Sequence, residues 1–237
     1  MSPDPTVRPA PSPGYVILYS DIGCPWASLA VHRLRRRRRE RELDGSVVID
    51  HRAFPLELVN QQLTPKSIVD SETAVVGSHE PSLHWQPWGR KEREYPMTTL
   101  LPLEAVQAAK DESVGGLPAS EELDAALRHA WYAESRSIHL WSELLDVAGS
   151  VSSLDVDALD GALRSGVGHA AVFAQWEAAN DVAQGSPHLF LTDGMSVHNP
   201  GITLEWTAAQ FHGMPRIAAD DPDVSDEILD RAGRIDR

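Results

Sequence analysis

One cysteine, Cys24, is all that 237 residues provide, so no internal disulfide forms and a bridge-stapled secreted scaffold is excluded. No apolar run approaches the ~20 residues of a membrane-spanning helix. Residues 1–14 are rich in proline and lack the roughly 7–15-residue apolar stretch of a signal peptide. An unstructured leader is therefore expected there, on a soluble protein of the reducing cytoplasm. Positive charge is also scarce: 35 acidic residues face 21 basic ones, a net charge of −14, which opposes general affinity for nucleic acid and anionic membranes. The ten histidines show neither HExxH order nor cysteine companions, so no metal site is predicted. Phosphate-loop and nucleophile-elbow motifs are missing as well.

What remains is enough for a sizeable core, since 42% of the residues are hydrophobic. The run 15–22 (YVILYSDI) reads as a buried strand. From Pro25 the period changes: Trp26, Leu29, Ala30 and Leu34 recur at helical spacing, and proline suits the first turn, where its missing N–H would have no partner. Asp44-Gly45 ends that helix, and 47–54 (VVIDHRAF) predicts a second strand, which makes a βαβ unit. Between Pro55 and about Ala183 the strand signal disappears. That stretch predicts a loop over 61–96, a short helix over 102–110, and a long helix capped by Ser120 and running to Gly149 with a restart at Ser137. Two further helices follow, one opened by Ser153 and Asp155 and ending near Gly166, the other over 169–182. Strands return at 188–192 and 196–199 around an Asp193-Gly194 turn, which is a hairpin signal. A helix is expected over 202–211, and an acidic tail from Ala218 with a weak or frayed helix over 224–232.

Arg33, Arg35 through Arg39 and Arg41 form a basic run. Five consecutive arginines point all round a helix, which predicts a solvated turn projecting beyond the core rather than an anion or nucleic-acid patch.

The chemistry centres on Cys24. A cysteine at the first turn of a helix faces unpaired N–H groups and the positive end of the helix dipole, which stabilise a thiolate. A depressed pKa and a nucleophilic thiol are the expectation. Asp21-Ile22-Gly23-Cys24-Pro25-Trp26 closing a first strand, Phe54-Pro55-Leu56 after the second, Thr98-Thr99 before a helix, Gly185-Ser186-Pro187 before the hairpin and His198-Asn199-Pro200-Gly201 after it resemble the DsbA-like family. The resemblance is to the branch with FrnE-type oxidoreductases, kappa-class glutathione transferases and hydroxychromene-carboxylate isomerases, and it covers about 15–211. It implies an α/β, thioredoxin-like fold with an all-helical insertion: 15–55 and 184–217 as the thioredoxin-like part, 56–183 as the insertion, and 218–237 as an acidic C-terminal segment.

The same resemblance implies a catalytic group of Cys24, Pro25 and Trp26, with Ser186 and a cis Pro187 binding substrate beside the sulfur. His188, next in line, alternates to the opposite face and reads as structural. A dithiol enzyme needs Cys-x-x-Cys, and the fourth position here is Ala27. No internal thiol can resolve a mixed disulfide, so redox turnover needs an external one. The expectation is a monothiol oxidoreductase or isomerase with no bound cofactor, a low-molecular-weight thiol as co-substrate, and a thiol or disulfide as partner. The alternatives are a glutathione-type transferase or isomerase whose small hydrophobic substrate is lined by Trp85, Trp88, Trp131 and Trp141, and a binding module that kept the fold without the cycle.

Overall fold

The computed structural model describes residues 11–209 and 213–233. Residues 1–10 of the expected leader, and Phe211 at the end of the expected helix, lie outside the described residues. Strand β1 (Tyr15–Ser20), helix α1 (Pro25–Glu40) and strand β2 (Val48–Ala53) form the βαβ unit, with β1 and β2 parallel and Tyr15 opposite Val48. Strands β3 (His188–Phe190) and β4 (Ser196–His198) add an antiparallel hairpin to the other edge of β1, giving the order β2-β1-β3-β4. Val16, Leu18 and Ile49 are buried at 0–1% exposure with Leu34 of α1, the reason an uninterrupted apolar strand is placed centrally.

Every element between Ala53 and His188 is helical. The α helices there are α2 (Leu56–Val59), α3 (Lys66–His79), α4 (Leu100–Ala108), α5 (Gly116–Tyr132), α6 (Trp141–Ala148), α7 (Val156–Ser165) and α8 (Val167–Ala179). Asp155 caps α7 by accepting from the Ala158 N–H at 2.9 Å, and Gly166 ends it at φ +78°, the left-handed conformation that glycine adopts freely. After the hairpin, β5 (Ile202–Trp206) and β6 (Pro215–Asp220) form a separate two-stranded sheet, and α9 (Val224–Ala232) closes the chain.

Several expectations are corrected. The loop over 61–96 contains the four-turn helix α3. Ile68, Val69, Thr73 and Val76 bury its inner face, but Glu72 interrupts that stripe and hides its period. Ser120 does not cap α5; the helix starts a turn earlier, and the Ser120 hydroxyl donates to the Val106 carbonyl of α4 at 2.8 Å. The long helix breaks between Tyr132 and Trp141 rather than merely restarting at Ser137. The helix expected from Ile202 is strand β5, whose Ile202, Leu204 and Trp206 alternate at period two. The helix expected over 224–232 is present as α9 and is packed rather than weak: its Ile228, Leu229 and Ala232 join the apolar cluster of the main sheet at 0–3% exposure. Even the end of the leader is tied down, by a Gly14 N–H to Ala232 carbonyl bond of 3.0 Å.

The arginine run is the largest correction. Arg33 and Arg38 are buried at 6% and 7% exposure, because the acidic elements around α1 neutralise them. Arg33 binds Asp220 of β6 at 2.6 Å, Arg38 binds Glu121 of α5 and Asp44, and Arg37 and Arg41 clasp Asp226 of α9. The run is mostly a set of clamps to neighbouring acidic residues, two of them buried and the others near solvent, with Arg39 exposed.

Candidate active site

Asp21 through Cys24 turn from the end of β1 into α1, and the helical insertion grips that turn from behind. Tyr132 donates its hydroxyl to the Ile22 carbonyl at 2.9 Å. Arg128 donates to the Asp21 carbonyl at 3.0 Å, to the Ser28 hydroxyl at 2.7 Å and to the Ser20 hydroxyl at 2.9 Å. Gly23 leaves no room for a side chain, since a Cβ there would lie 2.9 Å from the Thr99 methyl and 3.1 Å from the Trp131 ring. The turn is thereby fixed in place before any ligand arrives.

Cys24 is the N-cap residue of α1 and Pro25 its first helical residue. The Ser186–Pro187 peptide bond is cis. Ser186 is bound twice to the cysteine turn: its hydroxyl accepts from the Asp21 N–H at 2.9 Å, and its carbonyl accepts from the Cys24 Sγ–H at 3.2 Å. Pro187 and Trp26 line one small cleft with Asn199 and Ile202. The structure therefore brings together all five residues singled out in the sequence: Cys24, Pro25, Trp26, Ser186 and Pro187. His188 is not among them. Its Nδ1 accepts from the Gln184 N–H at 2.8 Å, its Nε2 meets the Ser196 hydroxyl at 2.9 Å, and its ring stacks on Phe190, a structural use.

The expected thiolate is not what the surroundings favour. Cys24 is only 6% exposed. Burial, followed by the nearby Glu72 carboxylate, pushes its thiol up to about 12, and the Ala27 amide and Ser186 oppose this only in part. The helix terminus is where the sequence places it, but desolvation and a second negative group outweigh the dipole. The resting side chain is a neutral thiol that donates to Ser186.

Two carboxyls near the sulfur carry the same signature. Asp21, 2% exposed, accepts from the Gly23 N–H at 2.8 Å, the Leu56 N–H at 2.7 Å and the Thr99 hydroxyl at 3.2 Å. Burial raises it to about 6 despite these bonds. Glu72 on α3 is 7% exposed; burial raises it to about 7, with the Trp26 indole N–H donating to it. Glu72 is a site residue that sequence reasoning missed. Its one signal was a carboxylate on the apolar stripe Ile68, Val69, Thr73 and Val76.

The four tryptophans proposed to line one substrate cavity do not. Trp88 and Trp131 are core residues at 9% and 4% exposure. They belong to a continuous aromatic series running Trp85, Tyr132, Trp131, Tyr95 and Trp88, with centroid spacings of 4.7, 5.4, 5.9 and 5.3 Å. Trp141 stands apart on α6, bonded to Asp160 at 2.6 Å under the Arg164 guanidinium. Among the described residues no group of three or more His, Cys, Asp or Glu side chains is arranged to hold a metal, and no helix is long and apolar enough to cross a membrane.

No protein-family model matches this sequence, and no curated protein matches it. Solved structures do match the fold. A probable DsbA oxidoreductase from Streptomyces coelicolor aligns over 92% of this chain and 89% of its own, with 18% identity and a TM-score of 0.64. The cytosolic disulfide reductase DsbM from Pseudomonas aeruginosa, also solved with GSH, aligns over 78% of this chain and 89% of its own at 18% identity, with a TM-score of 0.59. A 2-hydroxychromene-2-carboxylate isomerase aligns over 77% of this chain and 87% of its own at 15% identity, with a TM-score of 0.55. The chain thus has the DsbA-like thioredoxin fold with a helical insertion, shared with thiol–disulfide oxidoreductases and an isomerase.

Proposed function

We propose that this protein is a thiol–disulfide oxidoreductase or isomerase that works through Cys24 alone, with an external low-molecular-weight thiol as co-substrate. The observation that carries the reading is the Cys24 Sγ held 3.2 Å from the Ser186 carbonyl, at the start of α1 and beside Pro187. In the reaction, the Cys24 sulfur attacks one sulfur of an external disulfide R–S–S–R and forms Cys24–S–S–R. The old S–S bond breaks, and the leaving RS⁻ takes up a proton. That proton originates on Cys24, and Glu72, the buried carboxylate whose charge acts most strongly on the thiol, is assigned as its acceptor. With Ala27 where a second cysteine would stand, an external thiol must then attack the mixed disulfide and release Cys24.

The test is intact-mass analysis after incubation with oxidised low-molecular-weight thiols. The wild type gains one thiol adduct that clears with reductant, and Cys24→Ser gains none; an unmodified wild type overturns the reading. Ala27→Cys supplies the missing resolving thiol and yields an internal disulfide in place of the adduct. The neutral, donating state of Cys24 favours a second reading, a transferase or isomerase in which the S–H donates to the thiolate of a bound co-substrate. There Cys24→Ser retains thiol binding, because a hydroxyl donates as well.

A further inference from the structure

We propose that the groove between α1 and α5 binds a small organic anion, a carboxylate or phosphate head carried on an apolar body. The assignment is independent of the thiol chemistry at Cys24. The groove has a cavity volume of about 110 Å³, room for a small molecule only. It begins at Ser28, whose N–H bonds the Cys24 carbonyl at 3.0 Å, and continues along α1 through His32, Arg35 and Arg39. The facing wall holds His129 of α5, and Leu83 and Trp85 form an apolar side.

The charge of this lining runs against the rest of the molecule. The chain has 35 acidic residues, yet no Asp or Glu lines the groove among the described residues. Arg35 shares its one carboxylate partner: Glu121 accepts from Arg35 Nε at 2.9 Å while both of its oxygens also take Arg38. Arg39 is exposed, and no carboxylate bonds it among the described residues. His32 lines the groove beside them, with its Nε2 screened from water and without a hydrogen-bond partner among the described residues. A cationic end with open donors next to an indole face matches an anionic head on an apolar body.

His32 is also the reporter. Its pKa lies below the ordinary histidine value, first through burial, opposed by Glu80 and reinforced by Arg36, Arg39 and Arg33; His129, which also lines the groove, is paired with Glu134 at 3.5 Å. An anion bound here favours the imidazolium, so His32 titrates at higher pH when the site is filled, and affinity rises as pH falls.

The experiment is a titration of the full chain with benzoate and with phenyl phosphate, followed by calorimetry and by the imidazole NMR signals, with benzamide as the uncharged control. Saturable binding that raises the His32 pKa is expected for one or both anions and not for benzamide, and the two anions separate carboxylate from phosphate preference. Arg39→Gln, at an exposed position, weakens the binding about ten-fold and Arg39→Glu weakens it further. Benzamide binding as tightly as benzoate, an unshifted His32, or full affinity in both Arg39 variants overturns the site.

Discussion

Asp124 and Asp21 sit at 1% and 2% exposure in neighbouring parts of one core, yet their carboxyl pKa values move in opposite directions. Burial alone would raise both. At Asp124 the Arg128 guanidinium, with His51 behind it, overrides burial and holds the carboxyl below its ordinary range; Arg128 Nε lies 2.7 Å from one oxygen and its Nη2 3.0 Å from the other. At Asp21 two amides and a hydroxyl supply only dipoles, and the carboxyl rises to about 6. Glu72, with an indole N–H for support, rises to about 7. Full charges are thus matched in the supporting network behind the cysteine turn and left unmatched in front of it. The unmatched groups surround the one thiol, where proton acceptance has a use.

The sharpest way to break this comparison is to remove the matching cation. Arg128→Met leaves Asp124 buried without its partner and frees the Asp21 carbonyl and two hydroxyls, with an expected loss of about 3–5 kcal/mol. Urea denaturation reads this directly. The double variant Arg128→Met, Asp124→Leu should recover much of the loss, because both charges have then gone. If the double variant is as unstable as the single, packing rather than charge matching holds the network.

The opposite response is expected at Glu72. Its pKa is higher folded, about 7, than its ordinary 4.5, so the folded protein binds more protons between those values and stability falls as pH rises through that window. Glu72→Gln removes the penalty: the variant gains roughly 1–3 kcal/mol over wild type at about pH 8 and nothing below about pH 4. Thermal unfolding at the two pH values checks the sign. A gain that is equal at both would mean that packing, not ionisation, separates the variants.

Much of this arrangement was legible in the residues, for reasons that differ by element. The strands of the βαβ unit and the hairpin announced themselves by apolar runs and an Asp-Gly turn, and Cys24, Pro25, Trp26, Ser186 and Pro187 by the motifs that flank them. Two kinds of information were out of reach. Glu72 and Arg38 occupy buried positions that a hydrophobic pattern assigns to apolar side chains, so α3 read as a loop and the arginine run as solvated. Their partners lie 46 to 83 positions away, Trp26 for Glu72 and Glu121 for Arg38, and no local period carries such pairings. The thiol state is hidden for the same reason: the helix terminus is local, whereas the burial and the Glu72 charge that oppose it come from elsewhere in the chain. β5 is different, since the alternation of Ile202, Leu204 and Trp206 is present in the local sequence.

The smallest effect belongs to charge pairs matched in the same way but left near solvent. Asp226 of α9 accepts from Arg37 Nη2 at 2.6 Å and Nε at 3.1 Å, and from Arg41 at 3.3 Å, a geometry as good as that of Asp124 with Arg128. Its carboxyl is lowered first by the Arg37 hydrogen bond, against a smaller opposing contribution from burial. Water competes for both partners and salt screens them, over about 10 Å at 0.1 M and about 3 Å at 1 M. Asp226→Asn should therefore lower the unfolding midpoint less than Arg128→Met does, and the deficit should shrink as sodium chloride is raised, while that of Arg128→Met stays nearly constant. Measured side by side, the two salt series separate geometry from burial. If both deficits fall together with salt, burial does not separate the two pairs, and the Arg128 network would have to be as open to water as the clasp on α9.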